Sequence, residues 1–276
     1  MIQNSFVYTI RKRISLNKNA ILTIVGETGS GKSYGGLRLG EMLDKDFSID
    51  RVCFTPYEFL KLIDDHLKGV RKLPAGSVIL VDEAGVQYSA RAWQSFHNKV
   101  LGLLSQSFRS LNWIVIFTLP SLGWFEKQAR QLTHFVLIAD HIDYRQNMAY
   151  FKLIEMSTNP ISGEIQPHYP LKRKASGELE ITKFVTFKKP SDALSDAYEQ
   201  KKLEWQTKRY GSITELMSKV DEGKLGFEAS IVKEVEKDER KTKKELAKAR
   251  KEKKEVEAGF EEYMERLETK DGSSDV

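Results

Sequence analysis

The eight residues GETGSGKS, Gly26 to Ser33, constrain this chain more than any other segment does. They fit the spacing G-x-x-x-x-G-K-S, and they follow the apolar run ILTIV and precede a segment with helical periodicity. The glycines permit backbone angles at which successive amide hydrogens point inward, toward an anion. A strand, this loop and the start of a helix together predict a phosphate-binding loop.

Each residue of the motif has an expected role. The ammonium of Lys32 is predicted to bridge the β and γ phosphates of a nucleotide. The hydroxyl of Ser33 is predicted to ligate Mg²⁺, a cation that prefers oxygen ligands and retains several waters. The residues predicted to surround the nucleotide are Gly26, Glu27, Thr28, Gly29, Ser30, Gly31, Lys32 and Ser33.

A second motif, SVILVDEAG, places two carboxylates after an apolar run. The carboxyl end of a strand is where open α/β sheets bind ligands, and Asp82 is expected to reach Mg²⁺ through water there. Glu83 is expected to polarise the attacking water, which favours hydrolysis over phosphoryl transfer to a metabolite. Residues 82–85 also fit the DxxG pattern of GTPases, but no NKxD or TKxD follows, so ATP is favoured over GTP.

Further catalytic candidates lie around the run WIVIFT at 113–118. Thr118 ends this run, and its hydroxyl either reports the γ phosphate or caps the strand before Pro120. An arginine supplied by a neighbouring subunit would stabilise charge in the transition state. Arg109 and Arg130 are the preferred candidates for that arginine, ahead of Arg91.

Five apolar runs alternate with segments of helical periodicity between residues 20 and 140. This pattern predicts an α/β fold with a three-layer P-loop NTPase core and a mostly parallel sheet. Turn signals between 144 and 189 predict a small β extension, and the dense mixed charge after 233 predicts a solvated helix or a short coiled coil. The predicted divisions are an N-terminal segment 1–19, an ATPase core 20–142, a β-rich extension 143–190 and a charged helical region 191–276 with a disordered end.

Composition narrows the function classes further. The formal net charge of +5 and the isoelectric point near 9.0 permit a nucleic-acid partner without requiring one. Cys53 is the single cysteine, so disulfide and cysteine–zinc frameworks are excluded. The longest apolar stretch falls short of the roughly 20 residues that a membrane-spanning helix needs. With no signal-like N-terminus, a cytoplasmic location is expected.

The motifs GETGSGKS, VILVDEAG and QSFRSLNWIVIFTLPS resemble those of FtsK-HerA-type ATPases. That group includes DNA pumps, virus genome-packaging motors and the N-terminal domain of zonular occludens toxin-like phage assembly proteins. The resemblance covers about residues 20–140. It implies a ring of identical subunits, with each site completed by a neighbour, serving a virus or mobile element. The sensor position, commonly glutamine in the family, is Thr118 in this chain.

Two functions therefore compete. The leading hypothesis is a motor that hydrolyses ATP to translocate double-stranded DNA or to package a genome, and basic clusters at 11–13 and 171–174 favour it. The alternative is an assembly ATPase that acts on a protein partner through the charged C-terminal helix. A small-molecule kinase is disfavoured by Glu83.

Overall fold

The computed structural model describes residues 2–82, 111–125, 127–173 and 178–221. The chain divides into two compact units, residues 1–208 and 209–276. All strands described below belong to the first unit. One of the segments with helical periodicity, in which Trp93, Phe96, Val100, Leu103 and Leu104 give one apolar face, lies outside the described residues, as does the charged region from 222 onward.

The first unit is built from short strands and five α-helices among the described residues. The strands are β1 (Ala20–Val25), β2 (Val52–Cys53), β3 (Val78–Val81), β4 (Ile114–Leu119), β5 (Phe135–Asp143), β6 (Met148–Thr158), β7 (Ile165–His168), β8 (Leu171–Arg173), β9 (Leu179–Ile181) and β10 (Phe184–Lys188). The helices are α1 (Ile2–Ser15), α2 (Lys32–Leu43), α3 (Pro56–Leu67), α4 (Lys127–Leu132) and α5 (Asp192–Asp221), of which α5 continues into the second unit.

The central sheet has the strand order β10-β6-β5-β1-β4-β3-β2, and β7 pairs with β6. Strands β2, β3, β4, β1 and β5 run parallel, whereas β6, β7 and β10 add antiparallel partners at one side. The predicted α/β class with a mostly parallel central sheet is therefore confirmed. Strand β1 lies between β4 and β5, so the loop that follows it opens at the middle of the sheet's carboxyl edge.

Both faces of the sheet are covered, which explains why the parallel strands are apolar throughout. On one face, Ile10 of α1, Leu37 of α2 and Leu194 of α5 pack against Leu22 and its neighbours. The other face is covered by a second cluster of buried side chains, whose members are Phe59, Leu62, Leu73, Leu111, Trp113 and Phe125 together with alternate strand residues. Two apolar layers therefore hold the sheet between helices.

Two elements differ from the helix and strand lengths that the pattern indicates. Strand β2 is short because Thr55 caps α3: its side chain accepts from the N–H of Glu58, and the Glu58 carboxylate accepts from the N–H of Thr55. The segment with apolar residues at 122 and 132 forms a 3-10 turn, Leu122–Trp124, followed by the short α4. The hydroxyl of Ser121 accepts from the N–H of Gly123 and caps that turn.

The region after β5 is mostly part of the central sheet. Strands β6, β7 and β10 join it, while β8 and β9 form a separate two-stranded sheet. The turn signal at Asn159 is confirmed, since its side chain accepts from the N–H of Ile161 between β6 and β7. No helix within the described part of the chain has the length and apolar character needed to cross a membrane.

Candidate functional site

The loop between β1 and α2, residues 26–31, has the backbone shape that an anion-binding loop requires. Gly29 and Gly31 have φ angles of 79° and 85°, in the left-handed region that glycine adopts without steric cost. Gly26 lies close to β5: a Cβ atom added there would lie 2.7 Å from Cβ of Ala139 and 2.8 Å from Oγ of Ser30. Glycine is therefore required for conformation at 29 and 31, and for both conformation (φ 155°) and space at 26.

The side chain of Lys32 folds back over this loop. Its ammonium donates a 2.6 Å hydrogen bond to the carbonyl of Glu27, and the N–H of Ser30 donates to the same carbonyl at 3.2 Å. Helix α2 begins at Lys32, and Gly31 provides no side-chain cap, so first-turn N–H groups need other acceptors. A positive charge and uncapped amides thus lie at one loop, an arrangement suited to phosphate oxygens.

Helix α2 packs closely on the sheet because glycines occupy its buried face. A Cβ atom added to Gly36 would lie 2.8 Å from Cδ1 of Leu80 in β3, and one added to Gly35 would lie 2.6 Å from the ring of Phe151 in β6. No larger side chain fits at either position without movement of its neighbour. This close packing places the start of α2 against β1, which the loop follows, and β3, which Asp82 follows.

Asp82 directly follows β3, and its side chain is held on both oxygens. Oγ1 of Thr118, in β4, donates a 2.6 Å hydrogen bond to Oδ1 of Asp82. The hydroxyl of Tyr198, in α5, donates a 2.6 Å hydrogen bond to Oδ2. Asp82 is 0% exposed, and its N–H donates to the carbonyl of Cys53 at 2.9 Å. The carboxylate is therefore buried, hydrogen-bonded at each oxygen and fixed in orientation.

Sequence reasoning missed Tyr198 as a residue of this site. It lies 116 positions from Asp82, in the predicted helical region 191–276, where the sequence indicated no site residue. The available signal was the helical spacing of Leu194, Tyr198 and Trp205, which places them on one face of α5. Leu194 and Tyr198 are buried and Trp205 packs against the same core, so this face of the helix is not solvated.

The β5–β6 hairpin borders the other side of the loop. Strand β5 pairs with β1 as far as Ile138 and then continues to Asp143, beyond the end of β1. Cδ1 of Ile142 would lie 3.3 Å, and Cβ of Ala149 3.5 Å, from a Cβ atom added to Gly31. The hairpin thus forms a wall beside the loop, and this wall crosses the predicted boundary at residue 142.

The structure locates the remaining predicted residues as follows. Glu83 and Arg109 lie outside the described residues. Arg130 is half-buried in α4, and its Nε atom is buried with no hydrogen-bond acceptor among the described residues. Thr118 contacts Asp82, and its role beside the γ phosphate stays a prediction. The roles of the arginines in a neighbouring subunit's site likewise stay predictions.

The residues at the loop fit a nucleotide polyphosphate with its metal ion. Ser30 Oγ is buried and has no hydrogen-bond partner within the described residues, so a donor remains there for a phosphate oxygen. Ser33, on the first turn of α2, and Asp82, at the end of β3, supply the hydroxyl and carboxylate oxygens that Mg²⁺ prefers. The loop follows β1 and Asp82 follows β3, so both lie at the carboxyl edge of the same parallel strands.

Two solved structures are similar to part of the chain. The N-terminal domain of zonular occludens toxin from Neisseria meningitidis is 15% identical, with a TM-score of 0.33, over 54% of this chain and 93% of that domain. A KaiC-like protein from the hyperthermophilic archaeon Pyrococcus horikoshii OT3 is 11% identical, with a TM-score of 0.32, over 59% of this chain and 89% of that protein. No family model and no curated protein matches the sequence. At these identities and TM-scores, the fold and the site rest on the strands and contacts described above.

Proposed function

We propose that this chain binds ATP with Mg²⁺ at residues 26–33 and hydrolyses it. The observation that carries the proposal is the Lys32 ammonium folded over a loop of left-handed glycines, at the same carboxyl edge of the sheet as the end of β3 that precedes Asp82. Those features provide amide donors, a mobile positive charge and a fixed carboxylate. Phosphate recognition requires the first two, and a water-mediated metal contact requires the third.

Each residue has a distinct part in the proposed reaction. The loop amides and the start of α2 hold the β-phosphate oxygens, and Lys32 spans toward the γ phosphate. Bound Mg²⁺, held by Ser33 and through water by Asp82, would neutralise charge between the two phosphates. Glu83, the residue after Asp82, orients the attacking water and accepts its proton. A subunit that lacks this carboxylate would bind ATP but not turn it over.

We propose further that a homo-oligomeric ring of this chain uses ATP hydrolysis to translocate or package double-stranded DNA. The net charge of +5 supports an anionic partner. In the N-terminal basic cluster, Arg11 donates to the carbonyl of Met42 and Arg13 to that of Asn19. Lys12 is exposed, and its ammonium makes no such bond to a carbonyl among the described residues. Residues 171–173 of the second cluster form β8, and we propose this cluster as the stronger candidate for phosphate contacts.

Steady-state ATP hydrolysis by the full chain, with and without double-stranded DNA at several salt concentrations, tests both parts. Glu83→Gln should retain nucleotide binding and lose turnover, and Lys32→Ala should lose both. Glu164→Gln, the same chemical change at an exposed turn, is the matched control and should hydrolyse ATP like the unmodified chain. Turnover that persists in Glu83→Gln would contradict the proposed role of that carboxylate.

The DNA part of the proposal has its own criterion. Stimulation by DNA that weakens as salt rises supports a motor, because phosphate contacts release counterions on binding. Turnover that DNA does not change at any salt concentration would instead favour the assembly ATPase that acts on a protein partner. A chain without turnover under any condition would contradict the hydrolase itself.

A further inference from the structure

The hydroxyl of Tyr198 links the C-terminal helix to the predicted metal-binding carboxylate. It donates to Oδ2 of Asp82 at 2.6 Å, and Tyr198 is 1% exposed. The ammonium of Lys202, one turn further along α5, donates to the same hydroxyl at 3.3 Å. Because an ammonium can only donate, the phenol oxygen accepts from Lys202 and its own hydrogen points to Asp82. The direction of the hydrogen bond is thereby set.

Several contacts hold α5 in this register. The hydroxyl of Tyr34, in α2, donates to Oε1 of Glu199 at 3.0 Å. The ring of Trp205 stacks on that of Phe54, with centroids 5.4 Å apart. The Lys201 ammonium donates to the carbonyl of Val52, at the start of β2. Before the helix begins, the N–H of Ser191 donates to Oε1 of Glu41 at 3.1 Å. Contacts therefore hold α5 both before and after Tyr198 in the chain.

The chemistry of the aspartate side chain explains why two donors matter. The terminal torsion of an aspartate is broad, so the chain does not by itself define the plane of the carboxylate. Thr118, in the central strand β4, donates to Oδ1, and Tyr198, in helix α5, donates to Oδ2. A carboxylate fixed at both oxygens presents its remaining lone pairs in constant directions, as a water-mediated metal contact requires.

We infer that Tyr198 is a positioning residue for the metal site: its hydroxyl fixes the plane of Asp82 so that Asp82 can accept from a metal-bound water. The inference rests on the proposed function, because it assigns Asp82 to Mg²⁺. Tyr198 lies outside both nucleotide-binding motifs, so the geometry of the metal site depends on the position of α5 as well as on those motifs.

The test compares Tyr198→Phe with Tyr34→Phe in the full chain. Both variants delete one phenol hydroxyl that anchors α5, but Tyr34 contacts Glu199 and not Asp82. Calorimetry measures the affinity for a non-hydrolysable ATP analogue in EDTA and at a series of Mg²⁺ concentrations. The ratio of the two affinities reports the magnesium effect without any requirement for turnover, and thermal unfolding of each variant reports the stability.

In Tyr198→Phe the magnesium effect should fall about tenfold, as expected for loss of one hydrogen bond to a charged group. Affinity in EDTA should remain at the value of the unmodified chain, since the loop is intact. Tyr34→Phe should retain the full magnesium effect. An unchanged magnesium effect in Tyr198→Phe, or an equal loss in both variants, would overturn the inference.

Two further results separate this inference from the proposed function. If the unmodified chain shows the magnesium effect but no hydrolysis, the hydrolase proposal fails while the comparison of variants still decides the role of Tyr198. If the unmodified chain binds no analogue, both proposals fail. Lys202→Met is the second variant, in case Tyr198→Phe does not fold. It should lose part of the magnesium effect, and full retention there would contradict the inference.

Discussion

Oγ1 of Thr118 donates a 2.6 Å hydrogen bond to Oδ1 of Asp82, and both side chains are buried. This contact joins the carboxyl ends of two neighbouring parallel strands, β4 and β3. It involves a carboxylate that has no contact with bulk solvent. Hydrogen bonds to charged groups under such conditions contribute more than those between neutral groups.

Thr118→Val should therefore destabilise the fold. The valine keeps the volume but withdraws the donor from a buried carboxylate, and the free energy of unfolding should fall by about 1.5–3 kcal/mol. Urea unfolding followed by circular dichroism measures the change. Thr118→Ser keeps a hydroxyl and should lose less. A larger loss in Thr118→Ser than in Thr118→Val would mean that packing of the methyl group, which serine lacks and valine keeps, matters more than the hydrogen bond.

Alanine at Gly26 should damage nucleotide binding more than alanine at Gly29. At Gly29 the added Cβ has no atom within 4 Å, so the cost is the left-handed backbone alone, about 1–2 kcal/mol. At Gly26 it would lie 2.7 Å from Cβ of Ala139, which moves the loop or β5. Affinity for an ATP analogue, measured by calorimetry, should fall much further for Gly26→Ala. Similar affinities for both variants would contradict the structural account of the loop.

His134 should make the fold sensitive to acid. Its Nδ1 accepts from the N–H of Ile21 at 3.0 Å, and burial together with the charge of Arg13 lowers its pKa from 6.5 to about 3. The unfolded chain then binds more protons than the folded chain between these values. The contribution of His134 to stability is complete above pH 6.5 and is lost as the pH falls toward 3. Over this range the free energy of unfolding should fall by about 1 kcal/mol per pH unit.

His134→Asn provides the measurement of that effect. The amide oxygen of asparagine can accept from Ile21 as Nδ1 does, but it does not titrate. The free energy of unfolding, measured from pH 7 to pH 4, should fall less steeply in the variant. Because carboxylates titrate in both proteins, the difference between the two slopes isolates His134. Parallel slopes would show that His134 is not kept neutral by the fold.

Cys53 should react with thiol reagents only when the chain unfolds. The side chain is 1% exposed in β2, and burial raises the pKa of its thiol well above the usual range. The thiolate is the reactive form, so both access and ionisation are suppressed in the folded chain. With one cysteine in the sequence, maleimide labelling gives a single signal. Rapid labelling under native conditions, at a rate unchanged by denaturant, would contradict this prediction.

Short-range features of the sequence predicted the loop and the parallel strands. Backbone freedom and burial on both faces are requirements of a few consecutive residues, so short stretches of sequence are enough to reveal them. The stretches concerned are the glycines of residues 26–31 and the apolar runs at 21–25, 77–82 and 113–118. The structure has β1, β3 and β4 at these runs. The 3-10 turn before α4 was not predicted, since Ser121 and Gly123 compete with an apolar pattern that is equally compatible with a single helix.

The sequence by itself determined that an α/β sheet presents a glycine-rich loop and a carboxylate at strand ends. Only the tertiary structure decided what surrounds them. The β5–β6 wall depends on strand pairing, and the contact of Tyr198 with Asp82 spans 116 positions. No local pattern specifies such a contact, because it depends on how α5 docks after the sheet has formed. Leu194 and Tyr198, in the predicted C-terminal helical region, are thereby part of the buried core beside the site.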